Sequence, residues 1–383
     1  MHPSSLLSYY PTYALLDEVL SYKDYSTLNI YIDLKNNLQA TYMQHAVLNI
    51  LENSKGRIID TSVFKSLLAF LAFHKVYSVK RNVNINFFVF LESGVSYYHT
   101  NIDKRYKANR VIGDFFGLDE DSKNRFFQVL NGNYTLIEKA CNRIPSTNII
   151  RMSHFEADFI PYYLTTRKLV NTDEENAHVI YSNDHDLLQC IDDNIYIYSK
   201  TPQEKKIVKK DGAMDRFLKI KNNNISLDYI PLALSIIGDT GDNVFGIKGI
   251  GAKRFVDNFN SIKTLVGDMD NLYKNVLSSQ PIFDVTLLPN PNKYMKEIID
   301  VERKDNLISN NLRLTSFEII SRNLDNPSST EIIEKRKYIS KVLESRKVAN
   351  PEILMDGLEK VGVYLEEDYI SSLFYNKKET EEC

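Results

Sequence analysis

The chain has 383 residues, 43% of them hydrophobic, so one large domain or two smaller ones with ordinary globular cores are expected. Its formal net charge of −3 excludes a strong overall attraction to polyanions, and any nucleic-acid partner must be held by local basic patches. No apolar run of 18 residues occurs, so no membrane-spanning helix or membrane association is expected. The three scattered cysteines, Cys141, Cys190 and Cys383, suit an intracellular, reducing compartment.

Short apolar runs alternate with helix-length segments over the first half of the chain. Strands are predicted at 27–34, 84–92, 146–152 and 177–182. Helices are predicted at 40–52, 60–80 and 157–170. Residues 194–199 are expected to add an edge strand, and the lysine-rich stretch 205–210 is interpreted as an edge strand or hairpin face. This alternation predicts an α/β fold with a parallel sheet flanked by helices.

The strand pattern ends near residue 212, and helical patterns dominate from there to the end of the chain. A domain boundary is predicted within 211–226, where "KNNNIS" resembles a linker. Residues 331–347 form the clearest amphipathic and basic helical stretch. The last residues, 370–383, carry an apolar cluster before a polar tail. A helix that packs on the body is the favoured interpretation of this cluster.

Acidic residues follow all four predicted parallel strands. They are Asp33, Glu92, Glu156, Asp158, Asp184 and Asp186. Ligands of open parallel sheets bind beyond the carboxyl ends of the strands, so these carboxylates are expected to converge in one cleft. Their repulsion is relieved by hard divalent cations, and the absence of a Cys or His ligand pattern favours Mg²⁺ or Mn²⁺ over zinc.

Several of these acids also have an ordinary structural interpretation. Glu156 completes an S-x-x-E capping box with Ser153, and Asp184 suits the dipole at a helix start. Asp33 can form a turn, and Asp239, further along the chain, can cap a helix. The metal site is therefore predicted from the joint arrangement and from no single position.

The stretch "IIGDTGDNVFGIKGIGAKRF" at 236–255 combines acids, glycines and basic residues. Tight turns are expected at Gly246, Gly249 and Gly251, with Ile247 and Ile250 buried between them. Such turns expose successive backbone N–H groups that bind anions, and the flanking basic residues indicate phosphate. Those basic residues are Lys248, Lys253 and Arg254. Asp239 and Asp242 repel phosphate unless a metal stands between, so a metal site is expected beside the phosphate track.

Taken together, the blocks resemble the 5′-to-3′ exonuclease and flap endonuclease family, which includes phage enzymes and the nuclease domain of bacterial DNA polymerase I. The similar blocks run in the family's order from about residue 27 to 260. They are "YIDLKN", "FVFLESG", "DKRYKANR", "HFEADF", "YSNDHDLLQCI" and "GDTGDNVFGIKGIGAKRF". The last resembles the family's helix–three-turn–helix signature and is the most specific.

The resemblance implies a PIN-like nuclease fold and phosphodiester hydrolysis at 5′ ends or flaps of DNA, or of RNA primers on DNA, in replication or repair. It implies two Mg²⁺ or Mn²⁺ ions in the active site and a K⁺ ion at the helix–three-turn–helix. One divalent ion would be held by Asp33, Glu92, Glu156 and Asp158. The second would be held or oriented by Asp184, Asp186, Asp239 and Asp242.

The resemblance also assigns roles to the basic block at 103–110. Lys107 and Arg110 would grip the scissile phosphate, and Tyr106 could stack on a base of the substrate. A helical arch near 103–142 would pass a single-stranded 5′ end. The implied domains are a nuclease domain at 27–225 after an extension at 1–26, a DNA-binding domain at 226–300 and a helical extension at 301–383. The protein is expected to act as a monomer.

Three further expectations remain open at this stage. The apolar cluster of 370–383 loosely resembles peptides that bind sliding clamps, which would make a replication clamp a partner. Pro161 lies within the predicted helix at 157–170 and is expected to kink it. The two alternative functions are a PIN-type endoribonuclease, which needs no helix–three-turn–helix, and a non-catalytic DNA-binding relative, which needs no acids in the cleft.

Overall fold

The central sheet has six strands in the order β5-β4-β1-β6-β7-β8. The strands are β1 Thr27–Asp33, β4 Asn84–Glu92, β5 Thr147–Met152, β6 Asn176–Tyr181, β7 Ile195–Lys200 and β8 Lys205–Val208. The first five are parallel, and β8 pairs antiparallel with β7 as the edge strand. The computed structural model describes residues 13–34, 50–52, 58–92, 96–108, 120–153, 155–200, 205–221, 223–327, 330–344, 350–360, 365 and 367–374.

Helices cover the sheet and build the second half of the chain. Those that precede residue 212 are α1 Tyr13–Leu20, α2 Thr61–Arg81, α3 Tyr97–Ile102, α4 Glu120–Cys141 and α5 Ile160–Thr166. Those that follow are α6 Ala213–Leu218, α7 Ile230–Ile237, α8 Ala252–Val266, α9 Met269–Leu277, α10 Lys293–Asp305, α11 Leu307–Thr315, α12 Phe317–Asp325, α13 Thr330–Glu344, α14 Pro351–Glu359 and α15 Glu367–Phe374. Within the described ranges, no helix is long and apolar enough to cross a membrane.

Side chains of β1 alternate between two apolar cores, one on each face of the sheet. Leu28, Ile30 and Ile32 point into a core shared with α1, α2, α4 and α15. Tyr31 points into the other core, which continues through the later helices as far as Ile339. This period of two follows from strand geometry. Because one apolar cluster crosses the expected boundary at 211–226, the division into domains stays a prediction.

The predicted strands are confirmed, and the predicted parallel sheet is present. The predicted edge strand at 194–199 is β7, but it is an inner strand because β8 covers its edge. The interpretation of the lysine-rich stretch as an edge strand is confirmed by β8. The order of the strands places β1 between β4 and β6, the position where connections switch direction and where ligands of such sheets bind.

Two helix predictions need correction. Residues 50–52, expected in a helix at 40–52, form strand β2 (Ile50–Glu52), which pairs with β3 (Ile58–Asp60), while 40–49 lie outside the described residues. Short apolar runs do not distinguish strand from helix, which explains this error. The helix expected at 157–170 spans only Ile160–Thr166, and Pro161 lies in its first turn. A proline there removes no helical hydrogen bond, so the predicted kink is wrong.

Candidate metal centre and nucleic-acid interface

Three aspartates from two separate segments meet beyond the carboxyl ends of the strands. Asp186, Asp239 and Asp242 each offer a carboxylate oxygen, and these oxygens all lie within 4.8 Å of one another. Asp186 begins the short 3₁₀ helix that follows β6, whereas Asp239 and Asp242 lie in the hairpin that follows α7. Asp186 and Asp242 are buried. The predicted convergence of acids from the sheet with acids from the glycine-rich stretch is therefore observed for these three residues.

Lys107 and Tyr106 connect a fourth carboxylate to this cluster. The Lys107 Nζ lies 2.6 Å from both Glu156 oxygens and 3.2 Å from Asp242 Oδ2. The Tyr106 hydroxyl donates towards Glu156 Oε2 at 3.0 Å and Asp242 Oδ2 at 3.2 Å. A third link comes from the backbone, because the Lys107 N–H donates to the Asp242 carbonyl at 2.9 Å. We call Glu156, Asp186, Asp239 and Asp242, with Lys107, the acid centre.

Burial and like charges raise the pKa values of the aspartates that follow β6. The pKa of Asp186 is raised well above its usual range by burial, and then by the charges of Asp184, Asp242, Asp158 and Asp239. Burial also raises the pKa of Asp184. Asp184 and Asp158 are thus close enough to act on the acid centre electrostatically. The Asp186 N–H donates to Asp184 Oδ1 at 3.1 Å, which fixes the turn between the two.

The remaining predicted site residues are placed less completely. Asp33 lies at the carboxyl end of β1, between β4 and β6. Glu92 ends β4, but its side chain lies outside what the structure describes, as does all of Arg110. The ordinary interpretation of Glu156 as a helix cap is wrong because the next helix begins only at Ile160.

Tyr106 has a different place from the one expected. Its side chain is 8% exposed, and its ring stacks on His99 with 4.7 Å between the ring centroids. A substrate base cannot stack on a ring that is already enclosed, so the expected role of Tyr106 in base stacking is corrected. The hydroxyl instead orients two carboxylates. Burial lowers the pKa of His99 to about 4, so its imidazole is neutral at physiological pH.

The glycine-rich stretch forms a compact turn between α7 and α8. Residues Gly238–Asp239 and Val244–Phe245 pair as a small antiparallel hairpin. A Cβ at Gly246 would lie 2.0 Å from the Ile237 carbonyl oxygen, so only glycine fits there. Gly249 has φ of +82°, a left-handed conformation that also favours glycine. Ile247 and Ile250 are each 4% exposed, which confirms their predicted burial.

The same turn presents basic side chains and a helix start to solvent. Lys248, Lys253 and Arg254 are exposed, and the Arg254 guanidinium also donates to the Gly249 carbonyl. Gly251 is the N-cap of α8 in extended backbone, with no atom within 4 Å of where a Cβ would stand. The first N–H groups of α8 therefore lie beside three cations, an arrangement that suits a phosphate.

The donor set of the acid centre fits hard divalent cations. It consists of carboxylates, which are the ligands that Mg²⁺ and Mn²⁺ prefer. The acid centre contains four carboxylates and a single ammonium, that of Lys107, so the cluster keeps an excess of acidic groups in a largely buried place. A bound cation would offset that charge, whereas a purely structural cluster would be expected to balance it internally.

Sequence reasoning missed three residues that surround the acid centre. His99 stacks on Tyr106, Gln189 follows Asp186 in the 3₁₀ helix, and Asn311 is a buried residue of α11. Their side chains bond to backbone atoms that lie far away in sequence, and such pairings leave no local pattern. A buried asparagine in an amphipathic helix was the one available signal, and it does not identify its partners.

The strand order, the acids beyond the strand ends and the hairpin between α7 and α8 that completes the acid centre define a PIN-like fold of the 5′ nuclease type. No protein-family profile matches the chain. A 5′-3′ exonuclease of Mycoplasmopsis pulmonis is 26% identical over 217 residues, which are 54% of this chain and 63% of that protein. A 5′-3′ exonuclease of Mycoplasma pneumoniae is 30% identical over 123 residues, which are 32% of this chain and 38% of that protein.

Solved structures agree with these relatives. The 5′-exonuclease of bacteriophage T5 with bound zinc has a TM-score of 0.54 and 19% identity, and it covers 85% of this chain and 100% of its own. The bacteriophage T5 flap endonuclease in complex with DNA and metal ions has a TM-score of 0.54 and 18% identity. That match covers 83% of this chain and 100% of the T5 chain. The chain covers less than two thirds of the length of the curated relatives it matches. Its resemblance to the 5′ nucleases is confirmed in sequence and in fold.

Proposed function

We propose that the chain is a structure-specific 5′ nuclease that hydrolyses phosphodiester bonds at 5′ ends or flaps of DNA, or of RNA primers on DNA. The observation that carries this proposal is the meeting of Asp186 with Asp239 and Asp242 within 4.8 Å. Asp186 lies in the 3₁₀ helix that follows β6. Asp239 and Asp242 lie in the hairpin between α7 and α8. The acids and the proposed duplex-binding turn would thereby belong to one site, an arrangement that a PIN-type endoribonuclease does not require.

The acid centre, together with Asp33, Glu92, Asp158 and Asp184, is proposed to hold two Mg²⁺ or Mn²⁺ ions. Asp184, Asp186, Asp239 and Asp242 would hold or orient one ion, and Asp33, Glu92, Glu156 and Asp158 would hold the other. Bound ions supply a hydroxide at neutral pH and offset the charge on the phosphate. The chain's own contribution is to fix the carboxylates: Tyr106 holds Glu156 and Asp242 together, and the Asp186 N–H holds Asp184.

Lys107 is proposed to exchange partners when substrate binds. Its ammonium neutralises Glu156 and Asp242 in the free protein, and a scissile phosphate that approached these two acids would meet it. Once Glu156 and Asp242 served as metal ligands, the ammonium of Lys107 would be available to donate to a phosphate oxygen. We assign the same target to Arg110.

The turn before α8 is proposed to hold the duplex backbone several base pairs from the acids. Gly249 and Gly251 would present backbone N–H groups, Gly246 would shape the turn, and the exposed cations would contact phosphates: Lys248, Lys253 and Arg254. Such contacts give binding that depends on salt and ignores sequence. A K⁺ ion at this turn is part of the proposal, as the resemblance to the 5′ nuclease family implies.

The setting proposed for this activity is DNA replication or repair inside the cell, by a monomer. Cys141 and Cys190 are buried free thiols, as suits a reducing compartment. A sliding-clamp contact through the C-terminal cluster has little support, because Leu373 is fully buried in α15, which packs against α2. This burial agrees with the favoured interpretation of a helix that packs on the body. Residues 375–383 lie outside the described residues.

The test is digestion of 5′-flap, nicked, RNA-primed and single-stranded RNA substrates with Mg²⁺, read by product length. Short products released from 5′ ends or at the base of a flap support the proposal. Cleavage confined to single-stranded RNA would favour the endoribonuclease instead. Tight binding of flaps with no cleavage in Mg²⁺ or Mn²⁺ would favour a non-catalytic relative.

A further inference from the structure

The segments that carry the acid centre converge on one short stretch near the far end of the chain. This stretch, Asn311–Phe317, comprises the second half of α11, its C-cap and the first residue of α12. We call it the support segment. It follows Asp242 by about 70 residues and contains no acidic or basic residue except Arg313. It lies outside every motif of the sequence, yet it bonds to the Asp239–Asp242 hairpin, to α3 and to the 3₁₀ helix of Asp186.

Asn311 joins the support segment to the hairpin that carries Asp239 and Asp242. Its side chain is 4% exposed, and its amide nitrogen donates to the Ser235 carbonyl at 2.9 Å and to the Phe245 carbonyl at 2.8 Å. Ser235 lies in α7 immediately before the hairpin, and Phe245 pairs with Gly238 on its other strand. The two N–H groups of one amide therefore fix both ends of the hairpin.

The middle of the support segment holds α3, which precedes Tyr106 and Lys107. The Tyr98 hydroxyl donates to the Arg313 carbonyl at 3.0 Å. The neighbouring His99 hydrogen-bonds the Leu314 carbonyl through one ring nitrogen and Ser96 Oγ through Nδ1, at 2.6 Å in the second case. Its ring stacks on Tyr106, the residue whose hydroxyl reaches Glu156 and Asp242.

The end of the support segment holds the 3₁₀ helix of Asp186. Gln189 donates from Nε2 to the Thr315 carbonyl at 2.9 Å, and its Oε1 accepts from the Phe317 N–H at 3.1 Å. One side chain thus spans the junction of α11 and α12. Gln189 lies three residues after Asp186 in the same short helix, so a shift of one carries the other with it.

We infer that the support segment is the positioning element of the acid centre, with Asn311, His99 and Gln189 as positioning residues. Carboxylates that repel one another stay within 4.8 Å only if their backbones are held, and these bonds attach all three segments to the same end of α11 and start of α12. Cation binding at carboxylates, and in-line chemistry beside them, depend steeply on displacements of about 1 Å. The inference deepens the proposed function, on which its catalytic part rests, and its binding part does not depend on nuclease activity.

The experiment compares Asn311→Leu with Asn258→Leu. Asn258 is a matched control because it is 6% exposed and bonds the Arg254 carbonyl and Asn292, in the contact between α8 and α10. Mn²⁺ binding to the free protein is measured by calorimetry, melting temperature by circular dichroism, and flap cleavage in single turnover. Asn311→Leu is expected to weaken Mn²⁺ binding and slow cleavage by about tenfold or more, with flap affinity in EDTA unchanged within about twofold. Asn258→Leu is expected to lower the melting temperature without weakening Mn²⁺ binding.

Unchanged Mn²⁺ affinity in Asn311→Leu, or equal weakening in Asn258→Leu, would overturn the inference. If Asn311→Leu does not fold, Gln189→Met gives the same comparison, because it removes only the two bonds at the end of the segment. A further outcome is that the wild type cleaves no substrate while Asn311→Leu still weakens Mn²⁺ binding. This result would count against the nuclease proposal but would support the positioning role of the support segment. The two ideas therefore fail separately.

Discussion

Lys107 and Glu156 form a close ion pair at the edge of the acid centre, with the ammonium 2.6 Å from both carboxylate oxygens. Both side chains are largely buried, and the same ammonium reaches Asp242 at 3.2 Å. Burial makes this pair more important than a surface salt bridge, because a partner left alone keeps an uncompensated charge away from water. In the proposed function, the ammonium of this pair would lie beside the negative charge that grows on a phosphate during hydrolysis.

Replacing Lys107 by methionine keeps the hydrocarbon stem and removes the charge. In single turnover with Mg²⁺ on a flap substrate, the rate should fall by about 10²-fold while the dissociation constant rises only modestly, because the ammonium acts mainly on developing charge. Without divalent ions the melting temperature should also fall, since Glu156 and Asp242 lose their counter-ion, and Mg²⁺ should restore much of it. Lys104→Met, at an exposed neighbour, is the matched control and should change neither quantity. Loss of affinity alone would contradict the assigned role.

Asp186→Asn tests the acid centre by removing a negative charge instead of a positive one. The amide keeps the shape of the side chain and removes the carboxyl group, whose pKa is raised by burial and by neighbouring carboxylates. Cleavage should therefore fall by several orders of magnitude, as when a metal ligand is lost. The metal-free protein should melt at a higher temperature than the wild type, because one buried repelling charge is gone. Asp305→Asn, at an exposed position, should leave both measurements unchanged. Cleavage near the wild-type rate in Asp186→Asn would mean that Asp186 holds no essential ion.

The strands and the meeting of acids were predictable because they depend on local patterns. Runs such as that of β4 are apolar enough to mark a buried strand, and parallel strands bring their carboxyl ends to one edge. The pairing of Asp186 with Asp239 and Asp242 followed once the glycine-rich stretch was placed beside that edge. The turn itself was predictable because a Cβ would clash with backbone atoms at Gly246 and because Gly249 has a left-handed conformation that favours glycine.

What sequence reasoning missed depends on contacts between distant residues. The block around Tyr106 indicated a nucleic-acid contact, but His99 covers the ring, and this stacking depends on how α3 packs against α11. The position of Asn311 reveals nothing about Ser235 or Phe245, because a buried amide can bond any carbonyl that the fold brings near. The short strand at 50–52 was missed because its partner, 58–60, is needed to recognise it.

Acid should destabilise the protein through its buried histidines, and His74 gives the clearest case. Burial lowers its pKa to about 4, against about 6.5 in an unfolded chain, and its ring bonds the Phe70 carbonyl and the Tyr181 hydroxyl. Between about pH 4 and pH 6.5, His74 is therefore protonated in the unfolded state but neutral in the folded state. The contribution of neutral His74 to the free energy of unfolding is fully present above pH 6.5. It is lost as the pH falls towards 4, at about 1.4 kcal/mol per pH unit.

Urea unfolding in EDTA at several pH values between 7.5 and 4.5 measures this effect. His74→Gln should be less stable than the wild type at pH 7.5, but its stability should fall less steeply below pH 6.5. Above pH 7 the two curves should run parallel, which serves as the internal control. An equally steep fall in both proteins would show that His74 is not kept neutral in the folded state.

Gly246 should tolerate no side chain. A Cβ there would lie 2.0 Å from the Ile237 carbonyl oxygen and 2.6 Å from the Gly238 nitrogen. Both are backbone atoms, so no side-chain rotation can relieve the clash. Gly246→Ala is therefore expected to lower the free energy of unfolding by more than about 2 kcal/mol, as overpacking of a rigid site does. Urea denaturation measures the change. Wild-type stability in this variant would mean that the hairpin and the turn are not in close contact.

Gly251 should behave in the opposite way, because its surroundings are open. No atom lies within 4 Å of where a Cβ would stand, and the extended backbone of this N-cap suits a β-branched residue. Gly251→Val should therefore fold with wild-type stability and lose affinity for a duplex whose phosphate approaches the start of α8. The charge of that phosphate does not change during reaction, so saturating enzyme should recover most of the single-turnover rate. Dissociation constants and rates on one flap substrate, measured beside Lys107→Met, separate the two phosphate contacts. If Gly251→Val loses rate with unchanged affinity while Lys107→Met loses only affinity, the proposed placement of substrate is reversed.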